Sequence, residues 1–478
     1  MLTDNRDFIN SRIYVIESLI SGVISVIFYV MIAKFLHLDD IGAYTLVLVY
    51  ASILAAIANL GLVSGYERTY FEYTDNLTQK GKLLYSLQVF SFNSLIICCV
   101  LCAWLAEPFA IHLIGDVKYS KLWLITLCAV SISEFNKFYL VHLKNNKDAK
   151  VYAGLHLSQV ILHLSLTYFF LKFFGPNVVF IGISYLTSQI IVLIWISVHQ
   201  YRNLPQVYDK EAFKTVFFLS LPLTPRIFVG FIGTQFDKII LSQLTDLSAV
   251  GLYSVAQRLA MSIYVFMNAL GRVWQPILYR ELFNKGSNSD TGFLIFYMSI
   301  SFVPALFLIL FSHEAFLVFP ETIHSGYQIL VILCMHCVML YILKITGQQL
   351  MFAKKTWLIS SLSMFLVLSN IIITYPLVVL YGATGAALGT LLASFFNVII
   401  SYYYAQKYCY LRWNVKNIFY LYGYVLLAGV FILNFNQLVN TDYIKILVIK
   451  SFIFLGFLYF CHRYKILQFK SILRLFRS

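Results

Sequence analysis

Long apolar runs alternate with short polar intervals from near the first residue of the chain to near the last. Each run holds about eighteen or more residues and is apolar on most faces, enough to cross roughly 30 Å of hydrocarbon as a helix. A membrane β-strand needs about ten residues that alternate apolar and polar, and these runs do not alternate, so an all-α integral membrane fold is expected. The pattern predicts about fourteen transmembrane helices, near 12–34, 41–64, 83–105, 122–143, 151–174, 178–198, 215–243, 251–279, 292–312, 327–351, 357–380, 386–406, 418–435 and 445–463. The opening residues Met1 to Asp7 are followed by a span without a small-residue cleavage site, which reads as a retained first helix.

The polar intervals differ in charge. Lys144 to Lys150, Lys354-Lys355 and the tail from Arg463 are basic, whereas Gly175-Pro176-Asn177 and Tyr381 to Gly385 carry no Lys or Arg. This asymmetry predicts that both termini and the basic loops are cytoplasmic, in a bacterial inner membrane.

Short matches recur at one offset. About 207 residues separate Thr167-Tyr168 from Thr374-Tyr375, Gly175 from Gly382 and Gly182 from Gly389, and about 209 separate Gly42-Ala43-Tyr44 from Gly251-Leu252-Tyr253. An offset of six helices, an even number, predicts two parallel six-helix lobes related by a pseudo-two-fold along the membrane normal. The expected divisions are an N-terminal lobe over 1–198, a cytoplasmic linker over 199–214, a C-terminal lobe over 215–406, and two further helices with a basic tail over 407–478.

Composition narrows the function. Of 478 residues, 60% are hydrophobic and 12% charged, so lipid must solvate most of the chain and no separate soluble domain is indicated. The net charge of +14 is scattered through short loops, which fits topology and not nucleic-acid binding. The eight cysteines fall mostly inside spans, where they act as small apolar residues, and neither disulfides nor a metal site is expected. The ten histidines show no metal-ligand spacing, and His156 and His163 read as structural. No Walker A loop, GxSxG elbow or kinase loop occurs, so neither ATP hydrolysis nor any cofactor is expected, and any energy must come from an ion or substrate gradient.

Ionisable residues inside spans are costly and mark sites or partners. Leu221-Pro222-Leu223-Thr224-Pro225-Arg226 combines two helix-deforming prolines with an arginine near mid-depth. Arg226 either contacts substrate or neutralises a buried acid such as Asp237, three turns onward. Asp237 itself is either an ion-coupling site or a cap near the outer end of its helix. Arg258 and Arg272, fourteen residues apart, project on nearly one face about 21 Å apart, as a cationic ladder or as two snorkelling side chains. Glu134 and Lys137 are spaced to pair on one face, and Glu17 stands inside the first helix; both acids are candidates for ion coupling. Lys344 reads as part snorkel and part cavity residue. Lys172 and Lys450, close to outer helix ends, read as snorkelling.

Leu221-Pro222-Leu223-Thr224-Pro225, Asp237-Lys238-Ile239-Ile240-Leu241, Val250 to Ala256 and Trp274-Gln275-Pro276 resemble the polysaccharide-transporter, Wzx-like branch of the MOP exporter superfamily. The likeness extends loosely along the chain, including Asp39-Asp40-Ile41-Gly42-Ala43-Tyr44. It implies two lobes around a cationic cavity and a non-enzymatic flippase that moves undecaprenyl-pyrophosphate-linked oligosaccharide units to the periplasmic leaflet for O-antigen, capsule or exopolysaccharide synthesis. Membrane lipid, H+ or Na+, and a polysaccharide polymerase complex are the partners it suggests, with a monomer as the expected state. A pyrophosphate is matched by Arg226, Arg258 and Arg272, with Lys137 and Lys344 as further cations. A drug antiporter of the same superfamily is a second reading, although an acid-dominated cavity and twelve spans would then be expected. A polytopic glycan polymerase is a third, although the outer loops near 106–121 and 313–326 are short for one.

Overall fold

A computed structural model describes residues 5–73, 76–221, 224–285, 292–435 and 443–463. The chain runs through α1 (Asn5–Phe35), α2 (Leu38–Asn59), α3 (Leu62–Tyr70), α4 (Leu77–Trp104), α5 (Ala106–Phe109), α6 (Ser120–Asn145), α7 (Ala149–Phe174), α8 (Val179–Asn203) and α9 (Lys210–Ser220). It continues through α10 (Thr224–Leu244), α11 (Leu247–Lys285), α12 (Gly292–Leu310), α13 (Ser312–Phe316), α14 (Gly326–Phe352), α15 (Thr356–Tyr408), α16 (Val415–Phe435) and α17 (Tyr443–Arg463). No strand occurs among the described residues. Eleven of these helices are long and apolar enough to cross a membrane. Trp104, Phe173, Ile372, Leu427 and Phe452 are each more than two-thirds exposed, a display of apolar surface that suits lipid as the solvent.

Two helices depart from the simplest pattern. α15 has 53 residues, about 80 Å if straight, far more than one crossing requires. Gly382, at φ 56° and ψ −131°, breaks it, and the two halves turn back on each other. A Cβ on Gly389 would lie 2.7 Å from the Cα of Thr374, fifteen residues earlier, which only a hairpin permits. The expected spans 357–380 and 386–406 are its two arms. Within the span expected over 215–243, α9 ends at Ser220 and α10 starts at Thr224, with residues 222–223 outside the described ones.

The chain divides into two compact units, Met1–Gly251 and Leu252–Ser478. In the first, α6 packs against α2, α4 and α8, around a core that includes Tyr66, Leu87, Phe138 and Val216. Amide side chains tie these helices across the apolar interior. Gln88 and Gln200 exchange hydrogen bonds of 3.1 and 2.6 Å, and Asn136 Nδ2 donates to Gln189 Oε1 at 3.1 Å. The starts of α2 and α11 touch backbone to backbone: a Cβ on Gly42 would collide with the carbonyl of Leu247, and one on Gly251 with the carbonyl of Leu38. Two members of the 209-residue offset thus meet one another, and Ser248 Oγ donates to Asp39 Oδ1 at 2.5 Å beside them.

In the second unit α14 is the central post, packed by α12, α13, α15 and α16. About four-fifths of its apolar stretch is buried, against about a tenth for α7 in the first unit. α17 is fastened by a buried ion pair in which Lys450 Nζ donates to both oxygens of Glu314 on α13, at 2.7 and 2.9 Å. Lys450 is 4% exposed, so it is a paired core cation and not the snorkelling side chain that its place near a helix end suggested.

Candidate functional site

The buried position of α14 determines where its one lysine can go. Lys344 stands eight residues before the end at Phe352, about 12 Å along the axis. Its Nζ donates to Asn268 Oδ1 on α11 at 2.8 Å. The ammonium passes against the α11 backbone at Gly271, where a Cβ would collide with Nζ. Arg272 follows immediately, and its charge opposes that of Lys344. Lys344 is partly buried and Arg272 is exposed, and none of the ion pairs seen among the described residues includes either. Lys344 also lines a cavity of about 300 Å³. The arrangement can hold an anion.

The other predicted cations lie elsewhere. Arg258 is exposed on α11, and Lys137 is half exposed on α6, where it forms an ion pair with Glu134. Arg226 falls in the first turn of α10, and its side chain is outside the described residues.

The acids of the first unit are held differently. Glu17 is 4% exposed, and its Oε1 lies 2.5 Å from Nδ1 of His156 on α7. Ser18 Oγ reaches Oε2 at 3.5 Å. Tyr152 stacks on the His156 ring at 6.1 Å and 8°, and Tyr14 meets Tyr152 edge-on at 5.3 Å. His156 remains one-third exposed, so the pair has an open side and a buried side. A carboxylate and an imidazole in this contact can exchange and store a proton. Asp237 is buried in α10 and engaged in an interaction there.

The structure therefore gathers Lys344 with Arg272, Glu17 with His156, and Glu134 with Lys137. Sequence reasoning set His156 aside as structural and did not single out Asn268 or Glu314. A signal existed for Asn268, which precedes Arg272 by four residues and so shares its helix face. None existed for Glu17 with His156, 139 residues apart.

Comparisons with known proteins agree with this picture of the fold. Residues 10–281, more than half the chain, match the model of a family described as polysaccharide biosynthesis protein. The capsular polysaccharide biosynthesis protein CapF of Staphylococcus aureus is 23% identical over 307 residues, covering 62% of this chain and 77% of that one. The lipid II flippase MurJ in an inward closed conformation superposes with a TM-score of 0.75 at 17% identity, over 95% of this chain and 99% of that one. An inward-facing multidrug resistance MATE family transporter of the MOP superfamily gives 0.64 at 15% identity, over 81% and 94%.

Proposed function

The chain belongs to the polysaccharide biosynthesis protein family, and from that premise we propose that it is a flippase for undecaprenyl-pyrophosphate-linked oligosaccharide units. The units pass from the cytoplasmic to the periplasmic leaflet of a bacterial inner membrane, with both termini of the protein cytoplasmic. The observation that carries this reading is Lys344, a partly buried cation on the wall of a cavity in a membrane fold with the charge of Arg272 nearby, which suits an anionic headgroup. Alternating access by two six-helix lobes, 1–198 and 215–406, supplies the movement. The Glu17–His156 pair is a natural place for a coupling proton, because a carboxylate and an imidazole in contact can pass one between them. The MATE likeness is one of fold, and a cavity edged by a lysine does not favour a cationic drug.

Deleting the gene and complementing it with wild type or Lys344→Met tests the proposal. Complete lipid-linked units are expected to accumulate on the cytoplasmic leaflet, cleared by wild type and not by the variant. Single units accumulating on the periplasmic leaflet would mean that translocation is intact, and would point to polymerisation instead.

A further inference from the structure

The cavity beside Lys344 lies among α14, both arms of α15, and Tyr264 of α11. Its volume, about 300 Å³, is at the small end of the roughly 300–1,000 Å³ typical of small-molecule sites, room for a part of a glycolipid and not for an oligosaccharide. Leucine and isoleucine form half of the wall, and a few polar groups converge on it: Lys344, Asn397, Ser401 and Ser363. This is the composition of a binding site, since a packing defect would be apolar throughout.

Asn397 supplies the sharper clue. It is 3% exposed, yet its Oδ1 accepts no hydrogen bond. A buried acceptor left unpaired is destabilising, and a ligand that brings a donor relieves it. A phosphate brings only acceptors at neutral pH and suits Lys344, with Arg272 adjacent. A hydroxyl group suits Asn397, with Ser401 one turn along the same face. At Gly347, also on the wall, an added Cβ would meet nothing within 4 Å, so the space is continuous there.

We propose that this cavity is a subsite for the junction of a prenyl-pyrophosphate-linked glycan, with the sugar-side phosphate on Lys344 and a hydroxyl of the first sugar donating to Asn397. The assignment rests on the flippase reading and adds to it which part of the substrate this unit holds. The apolar wall accepts the non-polar face of the sugar ring. The rest of the glycan and the prenyl chain lie outside the cavity.

The test uses the full chain in phosphatidylcholine nanodiscs, with farnesyl pyrophosphate and farnesyl-pyrophosphate-linked N-acetylglucosamine as probes. Wild type is expected to bind the sugar-bearing probe roughly tenfold more tightly than the sugarless one, the scale of a well-made hydrogen bond to a buried group. Asn397→Leu is expected to erase that difference while leaving the sugarless probe unchanged. Gly347→Leu, whose added side chain enters open space and not a neighbour, is expected to weaken the sugar-bearing probe. If both variants bind that probe as wild type does, the subsite is wrong although the flippase reading stands. Displacement of the probe by phosphatidylglycerol at equal potency would make the cavity a phospholipid site and overturn the assignment. Failure of wild type to bind either probe would overturn both the subsite and the flippase reading.

Discussion

The two units hold their intramembrane charges in different ways. In Met1–Gly251, Glu17 faces His156 and Glu134 faces Lys137, so each acid has a protein partner. In Leu252–Ser478, Lys344 has an amide oxygen and a repelling arginine, while the fully satisfied pair, Lys450 with Glu314, ties α17 to α13. A buried charge with its own counter-ion completes the fold. Lys344 is partly buried with an amide oxygen and no acid in the ion pairs of the described residues, and an anionic ligand supplies the missing counter-charge.

This contrast can be broken most severely at Lys450. Lys450→Met leaves Glu314 without its partner in an apolar setting, and a loss of about 3–5 kcal/mol is expected, read as a lowered Tm in nanodiscs. The double variant with Glu314→Leu is expected to recover most of it, and an unchanged Tm in the single variant would remove the pair from the stability account. Lys344→Met is expected to behave oppositely: because it removes a partly buried charge without an acid partner among the described ion pairs, Tm should hold or rise while flipping falls by about tenfold or more. A variant that loses stability and activity together would instead make Lys344 a structural residue.

The smallest effect is expected at the paired acid. Glu17→Gln keeps the size of the side chain and its place near His156, Ser18, Tyr14 and Tyr152, but removes the titrating carboxyl. Flipping in proteoliposomes should lose its several-fold response to an imposed pH gradient and keep its basal rate. A variant that still responds like wild type would exclude this pair from coupling.

The spans were legible because apolar runs longer than a crossing have few alternatives in a chain this hydrophobic. The α15 hairpin was legible at Tyr381 to Gly385, where Gly382 supplies the positive φ that the turn requires. Pairing was the obscure part. His156 and Glu314 lie 139 and 136 residues from their partners, and long-range contacts between helices leave no local spacing to detect. Lys450 was misjudged for the same reason, since proximity to a helix end says nothing about a carboxylate arriving from another helix.

The most direct test places the purified protein in proteoliposomes with a fluorescent prenyl-pyrophosphate-linked sugar in one leaflet, and follows its arrival in the other. Wild type is expected to equilibrate the probe between leaflets and Lys344→Met to leave it where it started. Equal transfer by both proteins, or none by wild type, would contradict the assignment of an anionic lipid-linked substrate to Lys344.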